Sequence, residues 1–293
     1  MTTAFRYEEM TQRNRGFLTE AEQERLRDTP VFVCGVGGMG GAAVQTLVRA
    51  GVTRLAIADF DRFEVSNFNR QVFATLATAG QDKAKATARA LREVNPGLEL
   101  RVLGREWTSR VDEILDTHRV VINGMDDVAA GILLYRRARA HGATIVDAYS
   151  APLPSVFVTR SGDPLPEERL GYPTLGTPWD RLTPAQLAAC KLAEATYVMV
   201  HSTSARHFDL AIAAELFAGK RPRASFAPMV ILTGTLMASE AVKLALGRPG
   251  GADARGAFFN PWTLATERPR PRLVAAVLRP LVRRRLEALT RDG

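Results

Sequence analysis

The segment VFVCGVGGMGG, residues 31–41, joins an apolar strand to a glycine-rich turn and a helix start. Gly35, Gly37 and Gly40 take the G-x-G-x-x-G spacing, with Gly38 and Gly41 beside them. Such a turn needs residues without a Cβ. The chain reverses sharply there, and backbone N–H groups at a helix N-terminus must come close to a phosphate. The helix that follows is expected to reach Arg49 and to stop at Gly51. A second strand, Arg54 to Ala58, leads to Asp59, placed to accept hydrogen bonds from a ribose. These residues alone specify a nucleotide of some kind.

Working outward, the pattern alternates. A loop from Phe60 to Gln81 precedes a helix from about Asp82 to Val94, stopped by Asn95-Pro96-Gly97. Strands are expected at 98–103, 120–122 and 144–147, with helices at 111–115 and 129–140. Short connections between alternating strands and helices predict an α/β fold: a Rossmann-like parallel sheet with helices on both faces. After Ser150 the pattern changes to a mixed or antiparallel C-terminal portion. It comprises a strand at 155–159, a Pro/Gly-rich excursion at 161–183 and helices at 184–196, 206–217 and 228–246. A last strand at 257–262 and a basic amphipathic helix at 272–289 follow. Four segments result: an N-terminal helical arm (1–28), a nucleotide-binding core (29–160), a variable crossover region (161–225) and a C-terminal part of the same domain (226–293). In the arm, Thr19 and Glu22 form a capping box ahead of a helix that presents Leu18, Ala21 and Leu26.

The 293 residues, 46% of them hydrophobic, suffice for one large core. The longest apolar run, Val230 to Ala245, is interrupted by Thr233, Thr235, Ser239, Glu240 and Lys243, which argues against a bilayer span. The first residues lack an apolar export core. The two cysteines, Cys34 and Cys190, are too few for a disulfide framework or a four-cysteine zinc site. A cytoplasmic protein without membrane or zinc is expected. The net charge of +8 is spread along the chain, apart from Arg283 to Arg285. That is a diffuse field and not a nucleic-acid stripe. His118, His141, His201 and His207 show no ligand spacing.

Further elements follow the glycine turn in order. Asp59 and Asp61 form D-x-D. SNFNRQ supplies Ser66, Asn67, Arg70 and Gln71. Gly80 and Lys83 form G-x-x-K, and Asp126 closes a strand end. With them the chain resembles the ThiF/MoeB/HesA family of ubiquitin-activating-enzyme-like adenylyltransferases, over roughly residues 10–160 and more loosely at 228–247. The resemblance implies adenylation: a carboxylate is joined to the α-phosphate of ATP and pyrophosphate is expelled. Asp59 would hold the ribose, Ser66, Asn67, Arg70 and Lys83 the phosphates, and Asp126 a Mg²⁺. The residue types suit that chemistry. Arg70 offers a planar fork for phosphate oxygens, Lys83 a mobile point charge, and Asp126 an oxygen ligand for Mg²⁺. A cation in the first turn of a helix, as at Lys83, opposes the helix dipole and so needs a reason. The family's D-x-x-D-N reads here as Asn123-Gly124-Met125-Asp126-Asp127, and either Asp126 or Asp127 is expected to cap the next helix.

The resemblance also implies a homodimer, an arginine reaching a neighbouring subunit's site (Arg13 in TQRN, or its rival Arg15), and a small ubiquitin-like or sulfur-carrier protein or peptide as substrate. Cys190 is either a packed helix thiol or a thiol nucleophile. Two other functions stay open: an NAD(P)- or FAD-binding oxidoreductase built on the same turn, and a non-catalytic adapter of the same family. An enzyme acting on a modified tRNA base is a variant of the first reading.

Overall fold

The computed structural model describes residues 4–217 and 220–291. Five strands run parallel: β1 (Val31–Cys34), β2 (Arg54–Ala58), β3 (Glu99–Leu103), β4 (Val120–Asn123) and β5 (Thr144–Asp147). Three more continue the sheet antiparallel: β6 (Ser155–Thr159), β7 (Ala257–Asn260) and β8 (Ala265–Glu267). The order is β3-β2-β1-β4-β5-β6-β7-β8. Every residue of β1 and β4 is buried, because a parallel strand covered on both faces has no solvent side to alternate with.

The helices are α1 (Tyr7–Thr11), α2 (Glu20–Asp28), α3 (Gly38–Ala50), α4 (Lys83–Val94), α5 (Val111–Thr117), α6 (Val128–Ala140), α7 (Pro166–Leu170), α8 (Pro184–His201), α9 (Leu210–Phe217), α10 (Ala227–Leu246) and α11 (Arg272–Arg291). Strand residues sort between two cores with period two. Val31 and Val33 join Leu47 of α3, Leu91 of α4 and Met237 of α10 on one face. Phe32 and Cys34 join Ile114 of α5 and Leu134 of α6 on the other.

The arm differs from expectation. The capping box of α2 is present and Leu26 is fully buried, but Ala21 is exposed. An additional helix, α1, precedes it, and the Tyr7 hydroxyl donates to the Gly51 carbonyl oxygen at 2.8 Å. The expected strand at 257–262 stops at Asn260 and returns as β8, while α8 runs five residues beyond the expected 196, to His201. α10 is long and apolar enough to cross a bilayer, its interrupting polar residues notwithstanding, and half of its apolar window is buried. It packs along α3, where Gly234 lets the helices touch: a Cβ there would strike the Met39 carbonyl oxygen and Ala42.

β1 lies between β2 and β4, so the strand order reverses direction at its carboxyl end. A crevice opens at such switch points because the connections leave to opposite faces.

Candidate active site

A crevice of about 410 Å³ lies beyond the carboxyl ends of β1, β2 and β4. The glycines do two different jobs there. Gly35 has φ +85°, and a Cβ on it would come within 2.7 Å of the Gly124 backbone. A Cβ on Gly40 would run into the Gly35 carbonyl oxygen, and one on Gly124 would meet Gly40. These three glycines therefore serve backbone packing, Gly35 and Gly124 while also lining the crevice. Gly37, the N-cap of α3, and Gly38 line the crevice itself. A Cβ on Gly37 would find nothing closer than the Gln71 side chain at 3.5 Å, so the space over it is free for a ligand.

Asp59 leaves β2 on the crevice floor. Its carboxylate accepts from the Val36 N–H at 2.9 Å and from the Asp61 N–H at 3.0 Å, tying the glycine turn to the loop after β2. Burial pushes its pKa up; the two N–H donors and Lys83 oppose the shift. Lys83 opens α4, capped by Asp82, and is almost wholly buried. Its Nζ lies 3.0 Å from Asp61 Oδ2, a carboxylate that is itself 58% exposed. A buried ammonium with a half-solvated partner keeps donors for an anion in the crevice.

The SNFNRQ loop divides its residues. Ser66, Asn69, Arg70 and Gln71 line the crevice. Asn67 does not: it is buried, and its Oδ1 accepts from the Glu64 N–H at 3.1 Å, closing a short helical turn. Its amide shapes the loop from beneath. Arg70 Nη1 donates to the Ser66 carbonyl and to Asn69 Oδ1, both at 2.9 Å, which orients the guanidinium. Gln71 is buried, and its Oε1 has no hydrogen-bond partner. A buried acceptor left unsatisfied costs about 1–3 kcal/mol, and a ligand donor in the crevice would relieve it.

Past β4, Asp127 caps α6 by accepting from the Ala130 N–H at 3.1 Å, which leaves Asp126 free to face the crevice with its side chain 84% exposed. Asn123 turns the other way and donates to Asp147 Oδ2 at 3.1 Å. The fourth wall comes from far along the chain. Pro222, Arg223 and Ser225, on the strap before α10, close over the crevice. Arg223 Nη1 lies 4.0 Å from Asp126 Oδ2. Its side chain is 45% exposed, open to both solvent and the crevice. Arg223, Asn69 and Val230 were missed by sequence reasoning; the only available signal for Asn69 was its place inside SNFNRQ.

Two expected contributors lie elsewhere. Arg13 is exposed, in a turn whose Asn14 is tied to the Ala50 carbonyl at the C-terminal end of α3. The crevice is at the other end of that 13-residue helix, about 20 Å away at 1.5 Å per residue. Arg15 pairs with Glu20 at 3.3 Å on the surface. Neither reaches the crevice of its own chain. Cys190 has no exposed surface and packs with Ile132 and Tyr172. Burial, helped by Glu194 and Glu167, pushes its thiol up to about 12. It is a packed helix thiol here and not a poised nucleophile: the exposed neighbour Lys191 does not offset that burial.

Fold and crevice together define a Rossmann-like nucleotide-site protein whose cations come from the loop after β2, the start of α4 and the strap before α10. A family model described as ThiF family matches residues 11–276, and the chain belongs to that family. It is 39% identical over 116 residues to the molybdopterin-synthase adenylyltransferase of Salmonella typhimurium, covering 39% of this chain and 46% of that protein. It is 35% identical over 125 residues to the sulfur carrier protein adenylyltransferase of Thermus thermophilus, covering 42% of this chain and 46% of that protein. The matches thus span less than half of either relative. Among solved structures, Escherichia coli tRNA N6-threonylcarbamoyladenosine dehydratase, TcdA, in complex with AMP shares the fold with a TM-score of 0.57 at 19% identity, covering 84% of this chain and 98% of that one.

Proposed function

We propose that this chain is an ATP-dependent adenylyltransferase that activates the C-terminal carboxylate of a small ubiquitin-like or sulfur-carrier protein or a peptide. The observation that carries the reading is the convergence of Gly37, Gly38, Asp59, Arg70, Lys83 and Asp126 on one crevice from three strand ends. Two anions must meet there. A carboxylate oxygen attacks the α-phosphorus, the bond from that phosphorus to the bridging oxygen breaks, and pyrophosphate leaves with the electron pair. The attacking carboxylate is already ionised, so no protein base is needed, and the groups on offer are cations and N–H donors. ATP suits the free space over Gly37 and the unsatisfied Gln71 Oε1. Asp126, a solvent-facing carboxylate on the crevice, would hold a Mg²⁺ ion through an oxygen ligand. The ion would neutralise phosphate charge.

The test is carboxylate-dependent exchange of labelled pyrophosphate into ATP, run on the full chain with a panel of peptides ending in Gly-Gly. Exchange that depends on both a peptide and Arg70 supports the reading. Absence of ATP binding in the wild type defeats it. The reading extends to a homodimer in which Arg13, remote from its own crevice, would serve a neighbour's. Mixing Arg13→Ala with Arg70→Ala chains should then restore part of the exchange lost in each.

A further inference from the structure

We infer that Arg223, carried on the strap between α9 and α10, is a further phosphate-binding residue that closes on the ATP polyphosphate from the side opposite Arg70. The inference rests on the proposed nucleotide reading, but on separate observations.

The strap is anchored on both sides of Arg223. Arg221 pairs with Glu215 of α9 at 2.7 Å, and the Ser225 carbonyl accepts from Asn69 Nδ2 at 2.7 Å. That second bond ties the strap to the loop that carries Arg70. Pro222 restricts the backbone just before Arg223. The side chain is thereby held over the crevice by partners that do not involve its own guanidinium.

The charge arrangement calls for an anion. Among the described residues no hydrogen bond leaves the Arg223 guanidinium; its ion pair with Asp126 is long, at 4.0 Å, and the two side chains are 45% and 84% exposed. Arg70 and Lys83 line the same crevice. Three cations facing one space repel one another. The arrangement becomes favourable when a polyanion lies between them, because each guanidinium then gains a charge-assisted pair. Phosphate oxygens fit better than a single carboxylate, since Arg70 and Arg223 approach from different walls and each offers a fork. When Arg223 turns to phosphate, its weak contact with Asp126 is lost and that carboxylate is freed.

The experiment compares wild type, Arg223→Ala, Arg223→Lys and Arg70→Ala as full chains, by calorimetric titration with ATP, AMP and inorganic pyrophosphate. Arg223→Ala should weaken ATP and pyrophosphate about tenfold and AMP less than about twofold, the loss of roughly one charge-assisted contact. Arg223→Lys, which keeps the charge without the fork, should fall between. ATP, but not AMP, should slow tryptic cleavage after Lys220 and Arg223 in the wild type. An equal loss for AMP and ATP would mean that Arg223 only supports the strap, and would overturn the assignment. So would unchanged ATP affinity in Arg223→Ala while Arg70→Ala is weakened; in that outcome the nucleotide reading survives. A wild type that binds neither ATP nor AMP removes both. If Arg223→Ala fails to fold, Arg223→Lys and the protection assay decide.

Discussion

At the carboxyl ends of β1 and β2 and just past β4, polar groups face a crevice; from β5 onward along the sheet they are sealed into the packing. Asp59, Lys83 and Asp126 belong to the first kind. Asp147, Tyr135 and Asn123 begin the second: the Tyr135 hydroxyl donates to Asp147 Oδ2 at 2.8 Å, beside Asn123. Further along, Tyr172 donates to Glu194 at 2.6 Å. Arg169 donates to the Tyr149 hydroxyl at 2.6 Å, and its guanidinium lies 4.9 Å from the Tyr197 ring centroid. The difference is in what each charge can meet. A buried charge with internal partners holds an arrangement in place, whereas one facing an open crevice waits for a ligand. Among the described residues, the strap and Val230 of α10 bring the C-terminal part of the chain to the crevice.

The largest effect should separate the packing glycines from the cradle glycines. Gly40→Ala drives a Cβ into the Gly35 carbonyl, where only backbone could move. A loss of roughly 4 kcal/mol, or failure to fold, is expected in urea denaturation. Gly37→Ala meets only a side chain at ordinary contact distance, but its ψ of −127° lies outside the helical and extended regions, so a loss of about 1–2 kcal/mol is expected, with a further cost in ATP affinity. Equal destabilisation by both would erase the distinction.

The buried half has a pH signature. Burial raises the Asp147 carboxyl from the usual carboxylate range to about 6, despite the Tyr135, Ala148 and Asn123 donors. The folded chain therefore holds a proton that the unfolded chain has released between about pH 4 and 6. That contribution is fully present below about pH 4 and is lost as pH rises through 6. Asp147→Asn removes it. The stability difference between the two proteins should shift by about 2–3 kcal/mol in the variant's favour from pH 4 to pH 7. A difference independent of pH would show that Asp147 is ionised when folded.

Arg70→Ala should do the reverse: about tenfold or more off ATP affinity, with stability within about 0.5 kcal/mol, because its guanidinium bonds only local loop atoms. A stability loss matching the affinity loss would place Arg70 with the sealed groups.

Much of the parallel half was legible because each signal is local. Gly35 to Gly41, the stop at Gly51, the cap at Asp127 and the strand runs are decided within a few residues of each other. Asn67 shows where locality misleads: it sits inside the motif, yet its amide closes the turn. Arg223 shows the converse. It is separated from Asp126 by about a hundred residues of chain, and no local pattern marks a strap residue as facing a crevice built elsewhere. The β7–β8 return was hidden because a three-residue edge strand carries too short an alternation to read.

The smallest effect falls on the residue whose two readings the sequence left open. Cys190 is enclosed by Ile132 and Tyr172, with its thiol held protonated by burial. Cys190→Ala removes one buried sulfur and should cost about 1 kcal/mol. Pyrophosphate exchange should be unchanged, since the acyl-adenylate forms in a crevice that Cys190 does not line. Native protein titrated with an aromatic disulfide at pH 8 should release no thiolate at the rate of an exposed cysteine, and denatured protein should release two. A native thiol that reacts rapidly, and is lost in Cys190→Ala, would mean that α8 opens to let Cys190 out. The sealed half would then join the chemistry, and the contrast between the halves would hold only for the closed state.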